Sequence, residues 1–266
     1  MFEYMNIPIA ELKKQVVLWL KEQQKINGFE KAVVGISGGK DSSVVAALCV
    51  EAFGKENVLG VMMPNGEQKD ISDSQRVCDI LGIPRMTLNI NGAFESIIGQ
   101  VPFATTDSRI NLPARLRMAS LHCIAQGMKK AFVIGTCNRS EDIVGYATWG
   151  GDNFASIMPI AKLTTEEVIA IGDELGLPLD LTHKTPVDGL QELSDEQKLG
   201  FTYHEVNELI RENKQGPHYE KIMKMFNQNR FKLDYLRLPA YIPPMQDTFT
   251  PLLDKLPPEE LQPEAE

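Results

Sequence analysis

An apolar run that stops at paired glycines and resumes at helical spacing constrains this chain more than any other feature: VVGISGGKDSSVVAAL, residues 33–48. A short buried strand passing through a glycine loop into a helix is the opening unit of a parallel α/β sheet. The pattern then repeats. NVLGVMMP reads as a strand, SDSQRVCDILG as a helix and RMTLNI as a strand; a long helical stretch through ARLRMASLHCIAQGM follows, and KAFVIGT is a further strand. Short apolar strands separated by helices imply right-handed crossovers, so the expected fold is α/β: a doubly wound parallel sheet with helices on both faces. Ahead of it, Ile9, Leu12, Val16 and Trp19 recur at helical spacing and Gly28 stands where that helix stops. From Thr164 the pattern turns helical. Thr164 with Glu167 has capping-box spacing, Gly176 and Pro178 end that helix, and Ser194 with Gln197 repeats the start signal. The expected organisation is one domain, residues 1–235, with a helical C-terminal region, and a proline-rich acidic tail, residues 236–266.

Composition excludes several classes. With 266 residues, 24% charged and 43% hydrophobic, the chain can bury a sizeable core. Its net charge of -9 argues against sequence-independent nucleic-acid binding, though not against a small anion in a local basic pocket. No apolar run approaches the roughly 18 residues needed to cross a bilayer, and the opening MFEYMNIPIAELKK lacks the pattern of a signal peptide. Cys49, Cys78, Cys123 and Cys137 form no C-x-x-C pair and read as reduced thiols, three of them in apolar contexts, so the expected location is the cytoplasm.

The glycine loop is neither of the two familiar phosphate motifs. A Walker loop requires Ser or Thr after the lysine, and Lys40 is followed by Asp41; a dinucleotide fingerprint requires G-x-G-x-x-G, which Gly35, Gly38 and Gly39 do not supply. What stands at this strand-to-helix junction is SGGKDS. Glycines let backbone N–H groups approach an anion, and the following helix points its positive end at it. Ser37 and Ser42 add hydroxyls and Lys40 adds charge. An aspartate beside a phosphate is repelled unless a divalent cation lies between, so Asp41 reads as a metal ligand, with helix capping as the alternative.

SGGKDS after a buried strand resembles the pyrophosphate loop of the ATP pyrophosphatase superfamily. Further segments resemble the ammonia-dependent NAD synthetases in the same order: MPNGEQ, RINLPARLRM, GTCNRSEDIVGYATWGGD, PIAKLT, HKTPVDGL and DEQKLGFTY. The resemblance spans roughly residues 31–231. It implies a Rossmann-like fold of the adenine nucleotide alpha hydrolase type. It also implies a ligase that adenylylates the nicotinate carboxylate of deamido-NAD with ATP, then amidates it with ammonia to give NAD, AMP and pyrophosphate. The alternative is a diverged relative that binds ATP as a regulatory protein or amidates another carboxylate. The resemblance further implies magnesium and a homodimer with the substrate site at the subunit interface, while charge and hydropathy imply no nucleic-acid or membrane partner. No room for a glutaminase domain is read, so ammonia is the expected nitrogen source.

By the same resemblance, Gly35, Ile36, Ser37, Gly38, Gly39, Lys40, Asp41 and Ser42 hold the ATP phosphates, and Thr136 contacts ATP. Asp41 and Glu141 hold magnesium, and Lys184 is a second pyrophosphate-facing cation; Asp41 and Lys184 are the catalytic candidates. Arg115, Trp149, Asp152 and Ser156 form the deamido-NAD end. Arg117 lies two positions from Arg115, so the pair cannot share a helix face. His183 reads as an ordinary surface histidine. That substrate end departs from the family pattern at Trp149, Gly150, Ser156 and Val187, where Trp149 and local cations such as Arg230 or Lys232 are expected to replace lost contacts. The apolar helix over residues 114–128 reads either as dimer surface or as core.

Overall fold

The computed structural model describes residues 7–67, 71–184 and 194–233. Strands β1 (Lys31–Gly35), β2 (Val58–Met62), β3 (Arg85–Thr87) and β4 (Ala131–Ile134) run parallel in the order β3-β2-β1-β4. Period-two alternation sends neighbouring residues of β1 to opposite faces. Ala32 and Val34 join a core with Leu20, Val44, Leu48 and Ile171, while Val33 joins Val61, Val133, Met118 and Leu121 on the other side. Helices α1 (Ile9–Asn27) and α2 (Lys40–Phe53) belong to the first core.

The chain moves outward from β1 through β2, α3 (Ile71–Leu81) and β3, then passes α4 (Asn91–Ile98) and α5 (Thr106–Gly127) before inserting β4 on the opposite flank of β1. The order therefore reverses between β1 and β4. In an open parallel sheet, ligands bind outside the carboxyl ends of the strands at such a reversal. The SGGKDS loop follows β1, and α6 (Arg139–Val144) follows β4, so both candidate carboxylates issue from that point.

The C-terminal region is helical, as the sequence implies: α7 (Thr165–Glu174), α8 (Leu179–Thr182), α9 (Asp195–Leu199), α10 (Tyr203–Glu212) and α11 (Tyr219–Asn229). Capping boxes start α7 at Thr164 and α9 at Ser194, and a third, unread in the sequence, starts α10 at Thr202. Val144, Leu199, Phe201, Val206 and Ile222 give these helices a small core of their own. Glu167, 6% exposed, both caps α7 and receives Arg211 of α10 at 2.7 and 2.6 Å, joining the two helices.

Three local expectations change, and one open alternative resolves to core. Trp19 is exposed, and the buried stripe of α1 is Val16, Val17 and Leu20. The third strand stops at Thr87, although the Leu88 N–H still donates to the Met62 carbonyl and the Ile90 N–H to that of Pro64, both at 2.9 Å. The long helix starts at Thr106, eight residues ahead of the expected Ala114, because Thr105 and Ser108 form a capping box; it runs through Pro113 despite the lost N–H. Met118, Leu121 and Ala125 of α5 pack in the sheet core, so that face belongs to the fold and not to a partner. Cys49, Cys78 and Cys137 are buried, Cys123 is exposed, and all are free thiols. The expected tail and Val187 lie outside the described residues.

The α10–α7 contact carries a pH signature. His204 Nδ1 lies 2.7 Å from Glu166 Oε1, and this hydrogen bond raises the His204 pKa against the opposing effect of burial. A raised histidine pKa stabilises the fold below the unfolded-state value near 6.5 and ceases to do so as pH rises through the folded value. His204→Ala is therefore expected to lower the melting temperature at pH 5.5 and to leave it unchanged at pH 9, as scanned by calorimetry across that range.

Candidate active site

The glycine loop is shaped before any ligand arrives. Gly38 adopts φ +80, and a Cβ there would lie 2.9 Å from Asp73 Cβ and 3.0 Å from the Ser74 nitrogen, so both conformation and space require glycine. Ser42 Oγ accepts the Ser37 N–H at 3.2 Å, Ser37 Oγ accepts the Gly39 N–H at 3.2 Å, and Ser43 Oγ donates to the Gly39 carbonyl at 2.8 Å. The serines thus brace the loop through its own backbone. Gly39, the N-cap of α2, supplies no side-chain cap, which leaves the first-turn N–H groups of a buried helix for an anion.

Asp41 does not cap α2. Its carboxylate accepts from Lys40 Nζ at 2.9 Å and from Asn138 Nδ2 at 2.9 Å. Lys40 is 4% exposed, and its ammonium lies 4.0 Å from Glu141 Oε1 as well. It therefore stands between the carboxylates that the sequence assigns to a metal, where it acts as their counter-charge. Burial, then the charge of Asp41, holds the Glu141 carboxyl well above the usual range, with Lys40 opposing. Burial works against the Lys40 charge, yet Asp41 and Glu141 carry its pKa upward overall. These groups meet the requirements of a magnesium site. Two carboxylate groups, hard oxygen donors, face the Lys40 ammonium, and among the described residues no group of three or more His, Cys, Asp or Glu stands close enough to hold a metal. Magnesium is commonly held by one or two carboxylates with phosphates and water completing its shell.

Further residues border this cluster without having been read from the sequence. Asp195, at the start of α9, is 6% exposed and accepts from the Tyr146 hydroxyl at 2.8 Å. Tyr203 is 4% exposed, and its hydroxyl has no hydrogen-bond partner among the described residues. Burial raises the Tyr203 pKa, and the charges of Glu141, Asp195 and Asp41 raise it further, which places the phenol among these acids as a neutral donor. Both residues belong to DEQKLGFTY, a segment whose familiarity was legible while its roles were not. Lys184 donates to Asp73 at 2.6 Å, and Asp73 is the residue against Gly38, so this lysine reaches the loop's neighbourhood through α3. Thr136 is half-buried just past β4. His183 is an exposed residue bonded to Asp173.

The other end of the site is a loop following Gly145. Arg115 Nε donates to the Trp149 carbonyl at 3.2 Å, whereas Arg117 Nε donates to the Met63 carbonyl at 3.0 Å; the paired arginines diverge as their spacing requires. Asp152 accepts the Thr148 N–H at 2.8 Å, and Thr148 donates to Asn111 of α5 at 2.9 Å. Trp149, 41% exposed, meets Phe231 edge-on at 6.1 Å. Lys232 donates to the carbonyls of Gly145 and Ala147 at 2.7 and 3.0 Å, and its own carbonyl accepts from Asn153 at 3.1 Å. Lys232 is thus a brace for this loop. Ser156 stands apart: its hydroxyl accepts the Val133 N–H at 3.2 Å on the edge of β4. Arg115, Trp149 and Asp152 are brought together, while Ser156 joins the sheet.

The glycine loop and the Glu141 carboxylate thus stand at the sheet's reversal point in a chain that is similar to known proteins. Residues 12–236 match the NAD synthase family. The chain belongs to that family. The NH(3)-dependent NAD(+) synthetase of Alkaliphilus metalliredigens is 38% identical over 226 residues, covering 80% of this chain and 90% of the relative. Among solved structures, the NMN synthetase of Francisella tularensis superposes with a TM-score of 0.81 at 31% identity, covering 90% of this chain and all of that one. The NH3-dependent NAD synthetase of Campylobacter jejuni gives 0.72 at 26%, covering 89% of this chain and again all of that one. Similarity to the NAD synthase family thus extends through both the glycine loop and the α6 acid, and the parallel sheet with helices on both faces is the fold these structures share.

Proposed function

We propose that this chain is an ammonia-dependent NAD(+) synthase, a ligase forming an amide from the nicotinate carboxylate of deamido-NAD with ATP as co-substrate. A carboxylate oxygen attacks the ATP α-phosphorus, pyrophosphate leaves, and ammonia then displaces AMP from the acyl carbon. The observation that carries this reading is the convergence of Asp41 and Glu141 on one cationic position beside the glycine loop, in a chain of this family. Gly38, Gly39 and the first turn of α2 bind phosphate oxygens through backbone N–H groups. Asp41 and Glu141 would hold magnesium, and the chemistry a magnesium ion supplies in such a site is neutralisation of phosphate charge. Lys40, released from that counter-charge role, turns its ammonium toward phosphate, and Lys184 contributes from the far side of Asp73. Arg115, Asp152 and Trp149 orient the nicotinate end. Placing the reactants correctly and keeping water from the adenylate is most of what the protein must do.

The active unit is a homodimer in the cytoplasm. Free thiols at Cys49, Cys78, Cys123 and Cys137 suit a reducing compartment, and no helix among the described residues is long and apolar enough to cross a membrane. A second substrate reading has one specific observation behind it: the superposition with an NMN synthetase is tighter than that with the Campylobacter NAD synthetase. The assay that decides compares deamido-NAD with nicotinate mononucleotide at equal ATP, magnesium and ammonium. A kcat/KM at least about 10-fold higher for deamido-NAD is expected, corresponding to about 1.4 kcal/mol of contact with the added nucleotide. The reverse preference would replace deamido-NAD by the mononucleotide as the substrate.

A further inference from the structure

We infer that Asn138 is a positioning residue that fixes both acidic groups of the phosphate site at once; the inference rests on the reading of Asp41 and Glu141 as magnesium ligands. Asn138 is fully buried. Its Nδ2 donates to Asp41 Oδ1 at 2.9 Å, across 97 residues of sequence. Its Oδ1 accepts the Glu141 N–H at 3.1 Å as the N-cap of α6, and accepts from Thr165 Oγ1 at 3.3 Å. One planar amide therefore orients the Asp41 carboxylate with its nitrogen while starting, with its oxygen, the helix turn that presents Glu141.

The chemistry of the position calls for this side chain. A carboxylate at 41 needs a donor, and a backbone N–H with a hydroxyl needs an acceptor, so the amide orientation follows from its partners. Aspartate offers acceptors only; serine retains the cap but has no second arm to reach Asp41; glutamine is one methylene too long for a cap. The amide is itself held. Thr165 N donates to Ser140 Oγ at 2.9 Å, and Ser140 donates to Asn207 Oδ1 at 2.5 Å, so the support reaches buried Asn207 on α10. Outer partners that orient metal ligands typically change metal affinity 10- to 100-fold when lost.

The test separates the cap from the link to Asp41. Manganese binding is measured by paramagnetic resonance with the non-cleavable α,β-methylene analogue of ATP, alongside thermal melting, for wild type and for Asn138→Ser, Asn138→Asp and Asn138→Ala. The alanine variant, lacking both functions, is expected to melt lower. The serine variant keeps the cap and is expected to melt within a few degrees of wild type. The aspartate variant also keeps the cap but sets a third carboxyl, buried, beside Asp41 and is expected to melt lower. Both are expected to weaken manganese binding by about 10-fold or more. They are also expected to raise the magnesium requirement of turnover with the KM for deamido-NAD unchanged. Wild-type manganese affinity in folded Asn138→Ser and Asn138→Asp would overturn the proposal while leaving the metal site intact. Manganese binding left unchanged by Asp41→Asn would overturn the metal reading, and this proposal with it.

Discussion

Asp41→Asn is expected to lower turnover by about 100-fold or more, the scale lost when one stabiliser of developing charge is removed, while leaving a folded protein. The amide keeps the shape of the carboxylate, and no cap is lost, because Asp41 caps nothing in α2. Removing a negative charge beside buried Lys40 has a cost, since Asp41 Oδ2 is its nearest partner at 2.9 Å. Relief of the repulsion between Asp41 and Glu141, which helps to hold the Glu141 carboxyl high, offsets that cost. Steady-state kcat against magnesium concentration, with a urea melt of the same preparation, checks both parts. Near-normal turnover at an unchanged magnesium requirement would remove Asp41 from the metal site.

Trp149→Ala is expected to raise the KM for deamido-NAD by roughly 5-fold to 150-fold, the range set by about 1 to 3 kcal/mol of ring stacking, and to leave the KM for ATP nearly unchanged. The geometry lets the loop keep its position without the indole. Loop position is set through backbone atoms, by Arg115 on the Trp149 carbonyl and Lys232 on the carbonyls of Gly145 and Ala147, and none of these contacts needs the indole. The indole gives up only an edge contact with Phe231, itself exposed. Fluorescence-monitored melting and two-substrate kinetics separate the outcomes. A drop in melting temperature with both KM values raised together would mean that the indole serves the loop and not the ligand.

What could be read from the chain follows the range of the forces involved. The β1–loop–α2 unit was legible because apolar period, glycine pair and helix start lie within residues 33–48, and Thr164 with Glu167 announced α7 for the same reason. The divergence of Arg115 and Arg117 followed from helix geometry alone. The isolated pairing of Ile134 with Ile157 carried no such signal, and neither did the passage of α5 through Pro113, where local preference yields to packing on the sheet. Asn138 looked like any polar residue after a strand, because its meaning depends on Asp41, distant in sequence. Lys232 was marked as a cation, but its task of holding Gly145 and Ala147 is set by the fold. In each case the missing information is a contact between segments far apart in the chain.

In the proposed reaction a carboxylate oxygen of the substrate attacks the ATP α-phosphorus. It is tested most directly with deamido-NAD carrying heavy oxygen in its nicotinate carboxylate, turned over with ATP, magnesium and ammonium and read by mass spectrometry. Transfer of one labelled oxygen to the phosphate of AMP, with the other retained in the amide of NAD and none in pyrophosphate, is the predicted result. Release of ADP with label in inorganic phosphate, or AMP formed without label, would contradict it.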